Sequence, residues 1–527
     1  MGLRLLSLFA LLFAGAAQAQ MNVLLILVDD LRPEISSYGG PVVTPNMDAL
    51  AARGYQFDHA FANVPVCGAS RASMLTGLAP TSERFLTFNS RADVDAPEAE
   101  TLPAYFKRMG YHAKANGKVF DVIADSEGDW SEPVWSPEGT WHSPIEPDGR
   151  GEHLQKAYLN PVPSRRPPAM ERADVEDTAY PDGVLAEQSA KDLHRLAEAG
   201  QPFFLAVGFR KPHLPFTAPE RYWQEADRTA LPPTWLSNDA NLPAQALHRS
   251  LELRLGYDGP PLFFEPSDEA AASLVQGYQA AVRYVDALVG TLTAALTEHG
   301  LAQNTIIVLA GDHGGLLGEH TLWTKHTLLD TALRTPLIIV DPRLGGGQRV
   351  DAVADLLDVY PTLLDLAGLP QVSHLEGHSL APLLAGATER PEKRHVFSRW
   401  MNGESIRSKR FRYSVWHDNA GQIEAQMLFD LECDATESAN LSDKPKHADT
   451  LASMRAALSA ARKGPVTSAQ LKKISERWKQ MSTFHGMALA VAATQPLKAL
   501  GLVLVAIGAV LVAVRFRKRQ QHEATKT

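Results

Sequence analysis

Residues 22–28 read Asn-Val-Leu-Leu-Ile-Leu-Val, an unbroken apolar run of strand length that ends on two adjacent carboxylates, Asp29 and Asp30. A strand without polar alternation has neither face in water, which puts it inside a mostly parallel sheet covered by helices on both sides. Ligands of such sheets gather at the carboxyl ends of the strands, so Asp29 and Asp30 stand where a site is expected. The arrangement recurs: apolar runs at 202–208 and 305–310 deliver Lys211-Pro212-His213 and Asp312-His313, and 335–340 reads as a further strand. Helical spacing occupies 44–52, 101–109, 182–199, 267–299 and 353–366, and alternating strands and helices predict an α/β domain. After about Arg394 the pattern turns to short strands at 395–398, 405–408, 411–416 and 427–430, predicting a small antiparallel sheet packed on the main domain.

Cys67 opens the stretch Cys67-Gly-Ala-Ser-Arg71-Ala-Ser-Met-Leu-Thr-Gly77. With two cysteines in 527 residues the chain carries no disulfide framework. Cys67 lies just ahead of Ser70-Arg-Ala-Ser-Met-Leu-Thr, which offers an N-cap and good helix formers. Unpaired N–H groups and the positive end of the helix dipole there suit an anion, and Arg71 adds a fork-shaped charge for a tetrahedral oxyanion. The alternative for Cys67 taken alone is an inert buried residue. Likewise any single aspartate at a strand end is more often a helix cap. The 51 Lys and Arg against 60 Asp and Glu leave a net charge of −9, which argues against a general nucleic-acid binder.

The ends carry their own signals. A basic start, an apolar core from Leu5 to Ala14 and Ala17-Gln-Ala19 predict a signal peptide over 1–19. The apolar run 499–514, ahead of Arg515-Phe-Arg-Lys-Arg519, predicts a C-terminal membrane helix with a cytoplasmic basic flank. A terminal amphipathic or buried helix is the other reading of that run. The expected order is therefore signal peptide 1–19, catalytic domain 20–394, antiparallel-sheet subdomain 395–443, charged stalk 444–486, transmembrane segment 487–514 and basic tail 515–527. Such a protein would be exported and tethered to the membrane. Periodicity vanishes over 121–181 and 221–266, stretches rich in Pro and Trp that read as covers or ordered insertions.

Cys67-Gly-Ala-Ser-Arg71 with Leu75-Thr-Gly77 resembles the signature of type I sulfatases, especially iduronate-2-sulfatase-like members, whose cysteine is oxidised to formylglycine by a dedicated maturation enzyme. Gly117-Lys118-Val-Phe120, Lys211-Pro-His213-Leu-Pro-Phe216, Asp312-His313-Gly314 with Leu317-Gly-Glu-His320, and Trp323-Thr-Lys325 extend the resemblance over about 22–440. It implies an alkaline-phosphatase-like, mostly parallel sheet flanked by helices, with a smaller C-terminal α+β subdomain. It implies one Ca²⁺ per chain, held by Asp29, Asp30, Asp312, His313 and the formylglycine made from Cys67. It further implies that Arg71, Lys118 and Lys325 balance sulfuryl charge and that His213 protonates the departing sugar oxygen. Three carboxylates and an aldehyde-derived oxygen make a hard site, better suited to Ca²⁺ or Mg²⁺ than to zinc. Two positions depart from the family pattern: Ala69 replaces the usual proline, and Asp121 replaces a histidine that assists residue 67. The implied activity is release of sulfate from sulfated carbohydrate. A phosphoester or phosphonate hydrolase and a catalytically silent sulfoglycan binder are the competing readings.

Overall fold

The computed structural model describes residues 20–137, 167–223, 231–233, 235, 241–248, 250–258, 260–261, 264–388, 395–418 and 422–462. Seven strands form the main sheet: β1 (Asn22–Asp29), β2 (Tyr55–Phe61), β3 (His112–Gly117), β4 (Phe203–Pro212), β5 (Thr305–Gly311), β6 (Leu337–Val340) and β7 (Gln348–Asp355). Their order is β7-β2-β6-β5-β1-β4-β3. All neighbours run parallel except β6, which is antiparallel to both β5 and β2. β1 sits inside the sheet with every residue buried. Val23, Leu25 and Leu27 enter one core and Leu24, Ile26 and Val28 the other. This two-sided burial is the reason the segment shows no alternation.

Helices cover both faces: α1 (Pro45–Arg53), α2 (Cys67–Thr76), α3 (Pro181–Ala199), α4 (Leu251–Gly256), α5 (Asp268–Glu298) and α6 (Val359–Ala367). Ser267 caps α5 by accepting from the Ala270 N–H at 3.3 Å. The expected helix at 353–366 divides differently. Residues up to Asp355 belong to β7, parallel to β2, and the turn into α6 is set by a reciprocal capping box between Asp355 and Asp358. β7 escapes a periodicity reading because it exposes much of its first half at the sheet edge.

The second sheet is antiparallel: β8 (Val396–Trp400), β9 (Gly403–Arg407), β10 (Phe411–His417) and β11 (Ile423–Asp430), in that order. Helix α7 (Ala448–Ala461) packs on it, with Met454 and Leu458 meeting Phe397, Ile406, Tyr413, Val415 and Leu428. The subdomain thus reaches into the stretch expected as a stalk. It is joined to the main domain through Asp330, which receives the guanidinium groups of Arg407 and Arg412, each at 2.8 Å.

The expectation of a C-terminal membrane helix is corrected. No helix among the described residues is long and apolar enough to cross a membrane. The last of them, α7, has 14 residues and carries Asp449 and Arg455, where a crossing needs about 20 apolar residues. The fold is a mixed α/β domain with a C-terminal α+β subdomain. Residues 1–19, 487–514 and 515–527, read as signal, membrane span and tail, lie outside the described residues.

Candidate active site

Four adjacent parallel strands deliver the site. β5, β1, β4 and β3 end beside Asp312-His313, Asp29-Asp30, His213 and Lys118 respectively. Helix α2 brings Cys67 and Arg71, one turn apart on one face. It starts three residues before the expected cap at Ser70: Val66 is the N-cap and Cys67 the first helical residue. Ser70 does not cap because its hydroxyl donates instead to the Asp312 carbonyl at 2.5 Å. Asp30 holds a left-handed φ of 58°, fixed from both sides. Its N–H donates to Asp312 Oδ1 at 3.0 Å, and its carbonyl accepts from the Tyr278 hydroxyl at 2.9 Å. Non-glycine residues in this conformation persist where surrounding bonds over-determine them. Lys325 likewise lies between Thr324 and His326, both at φ 75°.

Ion pairs knit the cluster together. Arg71 is wholly buried and donates from Nε to Asp312 Oδ2 at 2.9 Å and from Nη2 to Asp29 Oδ1 at 3.2 Å. Its Nη1 donates to the carbonyls of Lys118 and Val119. Lys118 Nζ meets Asp29 Oδ2 at 2.7 Å and Asp121 Oδ1 at 2.9 Å. Lys325 Nζ contacts both Asp30 oxygens at 3.1 Å. The Cys67 Sγ lies 3.3 Å from His313 Nε2 and 4.0 Å from Asp30 Oδ1. Burial pushes the Asp29 carboxyl up, but Lys118 and Arg71 outweigh it and hold the group well below the usual carboxylate range. Burial, with Asp29 adding to it, drives the Cys67 thiol well above its ordinary range, so the unmodified thiol is a poor nucleophile at neutral pH.

The donor set fits a hard divalent cation. One ligand atom from each of Asp29, Cys67, Asp312 and His313 lies within 4.8 Å of the others, and Asp29, Asp30, Cys67 and His213 form a second such group. Oxygen ligands at about 2.3–2.6 Å from a shared Ca²⁺ lie up to about 5 Å from one another, so that spacing fits one ion.

All nine residues expected from sequence meet in this cluster: Asp29, Asp30, Cys67, Arg71, Lys118, His213, Asp312, His313 and Lys325. Lys211, in the same motif as His213, faces away. Its ammonium donates to the His213 and Pro215 carbonyls at 2.9 and 2.6 Å, and burial brings it down to about 8. Sequence reading missed Glu252 on α4. Its Oε1 lies 3.0 Å from His213 Nε2 and 3.1 Å from Lys325 Nζ. Glu252 lies in the aperiodic stretch 221–266, where nothing in the pattern singles it out. His326 was legible only as the neighbour of Lys325, and its Nδ1 lies 3.8 Å from Glu252 Oε2.

Comparison with known proteins places the chain in a family. The Sulfatase family model matches residues 21–369, and that of the N-sulphoglucosamine sulphohydrolase C-terminal region matches 318–464. The chain is similar to mouse iduronate 2-sulfatase, at 30% identity over 86% of this chain and 97% of that one. Among solved structures it resembles a phosphonate monoester hydrolase of Agrobacterium radiobacter, with a TM-score of 0.69 and 24% identity over 84% of this chain and 95% of the other. A protein solved with its substrate D-glucosamine-2-N,6-O-disulfate gives a TM-score of 0.66 and 21% identity, covering 86% and 98%. These two likenesses speak to the fold.

Proposed function

The chain belongs to the sulfatase family and is a sulfuric ester hydrolase; from that premise we propose that it removes sulfate from sulfated carbohydrate, in the manner of iduronate 2-sulfatase. The observation that carries this reading is the convergence of Arg71, Lys118, Lys325 and His213 on Cys67, above three carboxylates.

Asp29, Asp30, Asp312, His313 and residue 67 would hold Ca²⁺. When present, that cation and the formylglycine derived from Cys67 supply, respectively, a charge that polarises the sulfuryl oxygens and a hydroxyl nucleophile. Lys118 is paired with Asp29 and Lys325 with Asp30. Both present N–H donors to sulfuryl oxygens, which carry charge through the transition state. Arg71 keeps Asp29 and Asp312 aligned while adding its own positive field. His213 Nδ1 faces the Leu214 carbonyl at 2.6 Å, which turns Nε2 toward the site. From there it gives a proton to the bridging oxygen as the sulfur–oxygen bond breaks. Cys67 is 5% exposed, so a maturation enzyme would have to meet it before α2 packs. The apolar leader at 1–19 supports export of the body.

The test is sulfate release from a 2-O-sulfated uronate disaccharide, set against matched aryl sulfate and aryl phosphate. Sulfate release from the sugar with aryl sulfate preferred over aryl phosphate is expected. A strong preference for the phosphate ester overturns the reading in favour of a phosphoester hydrolase.

A further inference from the structure

Glu252 stands in the site without a role in the chemistry so far. It projects from α4, whose start is pinned: the buried Ser250 hydroxyl accepts from the Trp323 N–H at 2.9 Å, and Leu253 is buried in the core. Trp323 lies two residues before Lys325, so the mounts of Glu252 and Lys325 are coupled through one hydrogen bond. A single oxygen, Oε1, lies 3.0 Å from His213 Nε2 and 3.1 Å from Lys325 Nζ. The other, Oε2, is buried, lies 3.8 Å from His326 Nδ1 and has no hydrogen-bond partner among the described residues. Burial opposes the charge on Glu252, yet Lys325 and His213 together keep its carboxyl well below the ordinary range.

We propose that Glu252 is a positioning residue for the reaction, holding His213 Nε2 and Lys325 Nζ at one shared oxygen so that the proton donor and a sulfuryl-binding cation are presented to the same ester. This rests on the sulfatase reading above. In the step it serves, the bond between sulfur and the bridging oxygen breaks, and the single proton on His213 Nε2, held at Glu252 Oε1 until the ester binds, leaves that hydrogen bond and passes to the bridging oxygen. Glu252 stays ionised throughout and takes up nothing. Its contribution therefore scales with the need for a proton. A sugar alkoxide is a poor leaving group and depends on the acid, whereas 4-nitrophenolate leaves with little help.

The experiment compares Glu252→Gln and Glu252→Asp with the wild-type enzyme on a sulfated disaccharide and on 4-nitrophenyl sulfate, with kcat and KM determined separately. Glu252→Gln is expected to lose kcat by about 10²-fold on the sugar ester, the lower end of general-acid contributions, and by less than about tenfold on the aryl ester. Glu252→Asp should recover part of the sugar-ester loss. Equal losses on both esters, or a raised KM with kcat retained, overturn the assignment. The first would mark a merely structural residue, the second a contact to a substrate hydroxyl through Oε2. Wild-type protein that leaves both esters intact overturns the proposed function itself, so the two failures are told apart. Thermal melts of both variants establish that they fold.

Discussion

Arg71 carries the heaviest electrostatic duty of any single residue in the site. It is fully buried between Asp29 and Asp312, which are buried as well. Removing one partner from a buried ion pair costs about 3–5 kcal/mol, because the remaining charge is left without compensation. Arg71→Ala should show a loss of that order in chelator, and added Ca²⁺ should recover part of it by meeting the same carboxylates. Thermal melts decide this, and a variant as stable as wild type in chelator contradicts it. Asp121 spends its charge on Lys118 at 2.9 Å while 22% exposed. Asp121→Asn should free Lys118 for sulfate and strengthen inhibition by inorganic sulfate by about fivefold, on the order of 1 kcal/mol for a partly exposed pair. An unchanged inhibition constant argues against competition between Asp121 and sulfate. Asp29, Lys118 and Asp312 are legible as motifs because each stands at the end of a buried strand, and Arg71 because it shares a helix turn with Cys67. Glu252 is not, since its neighbourhood depends on α4 folding back against Trp323, a contact between residues far apart in sequence.

Helix α2 explains why glycine follows Cys67. A Cβ on Gly68 would lie 2.0 Å from the Phe88 carbonyl oxygen and 3.1 Å from that of Ser90. Both obstacles are backbone, so the helix would have to shift, and with it Cys67. Gly68→Ala should therefore cost about 1–3 kcal/mol, the range for an overpacked buried position. Its melting temperature is the readout, and an unchanged value would mean that α2 can shift without cost. At this scale the sequence was informative wherever an element is buried on both sides or carries a clear cap. β1 and α5 are examples. The start of α2 was misjudged because Ser70 makes a tertiary hydrogen bond rather than a cap. The start of α6 was misjudged because β7 runs directly into it through a capping box.

The two domains meet at a buried charge cluster. Glu437 Oε2 accepts from the Asp330 N–H at 2.7 Å, beside Arg407 and Arg412. Burial, with Asp330 adding to it, pushes the Glu437 carboxyl from an ordinary 4.5 to about 8. Between those values the folded protein keeps a proton that the unfolded chain has released, so stability falls as pH rises through that window. Urea midpoints at about pH 5 and about pH 8 should differ less in Glu437→Gln than in wild type; equal differences would contradict this. No pattern in the sequence announces such a joint, because its partners come from the short helix Asp330–Leu333, from β9 and β10 and from the segment after β11.

The chemistry of the site turns on residue 67. The buried thiol is held well above its ordinary range, so the cations around it have a nucleophile to serve only if the cysteine is converted. The most direct measurement is the mass of the peptide spanning Gly68 to Arg71 with residue 67, from active protein purified out of its own host. An aldehyde or its hydrate at residue 67, despite Ala69, is the predicted result. An intact thiol throughout a preparation that releases sulfate at full rate would contradict it.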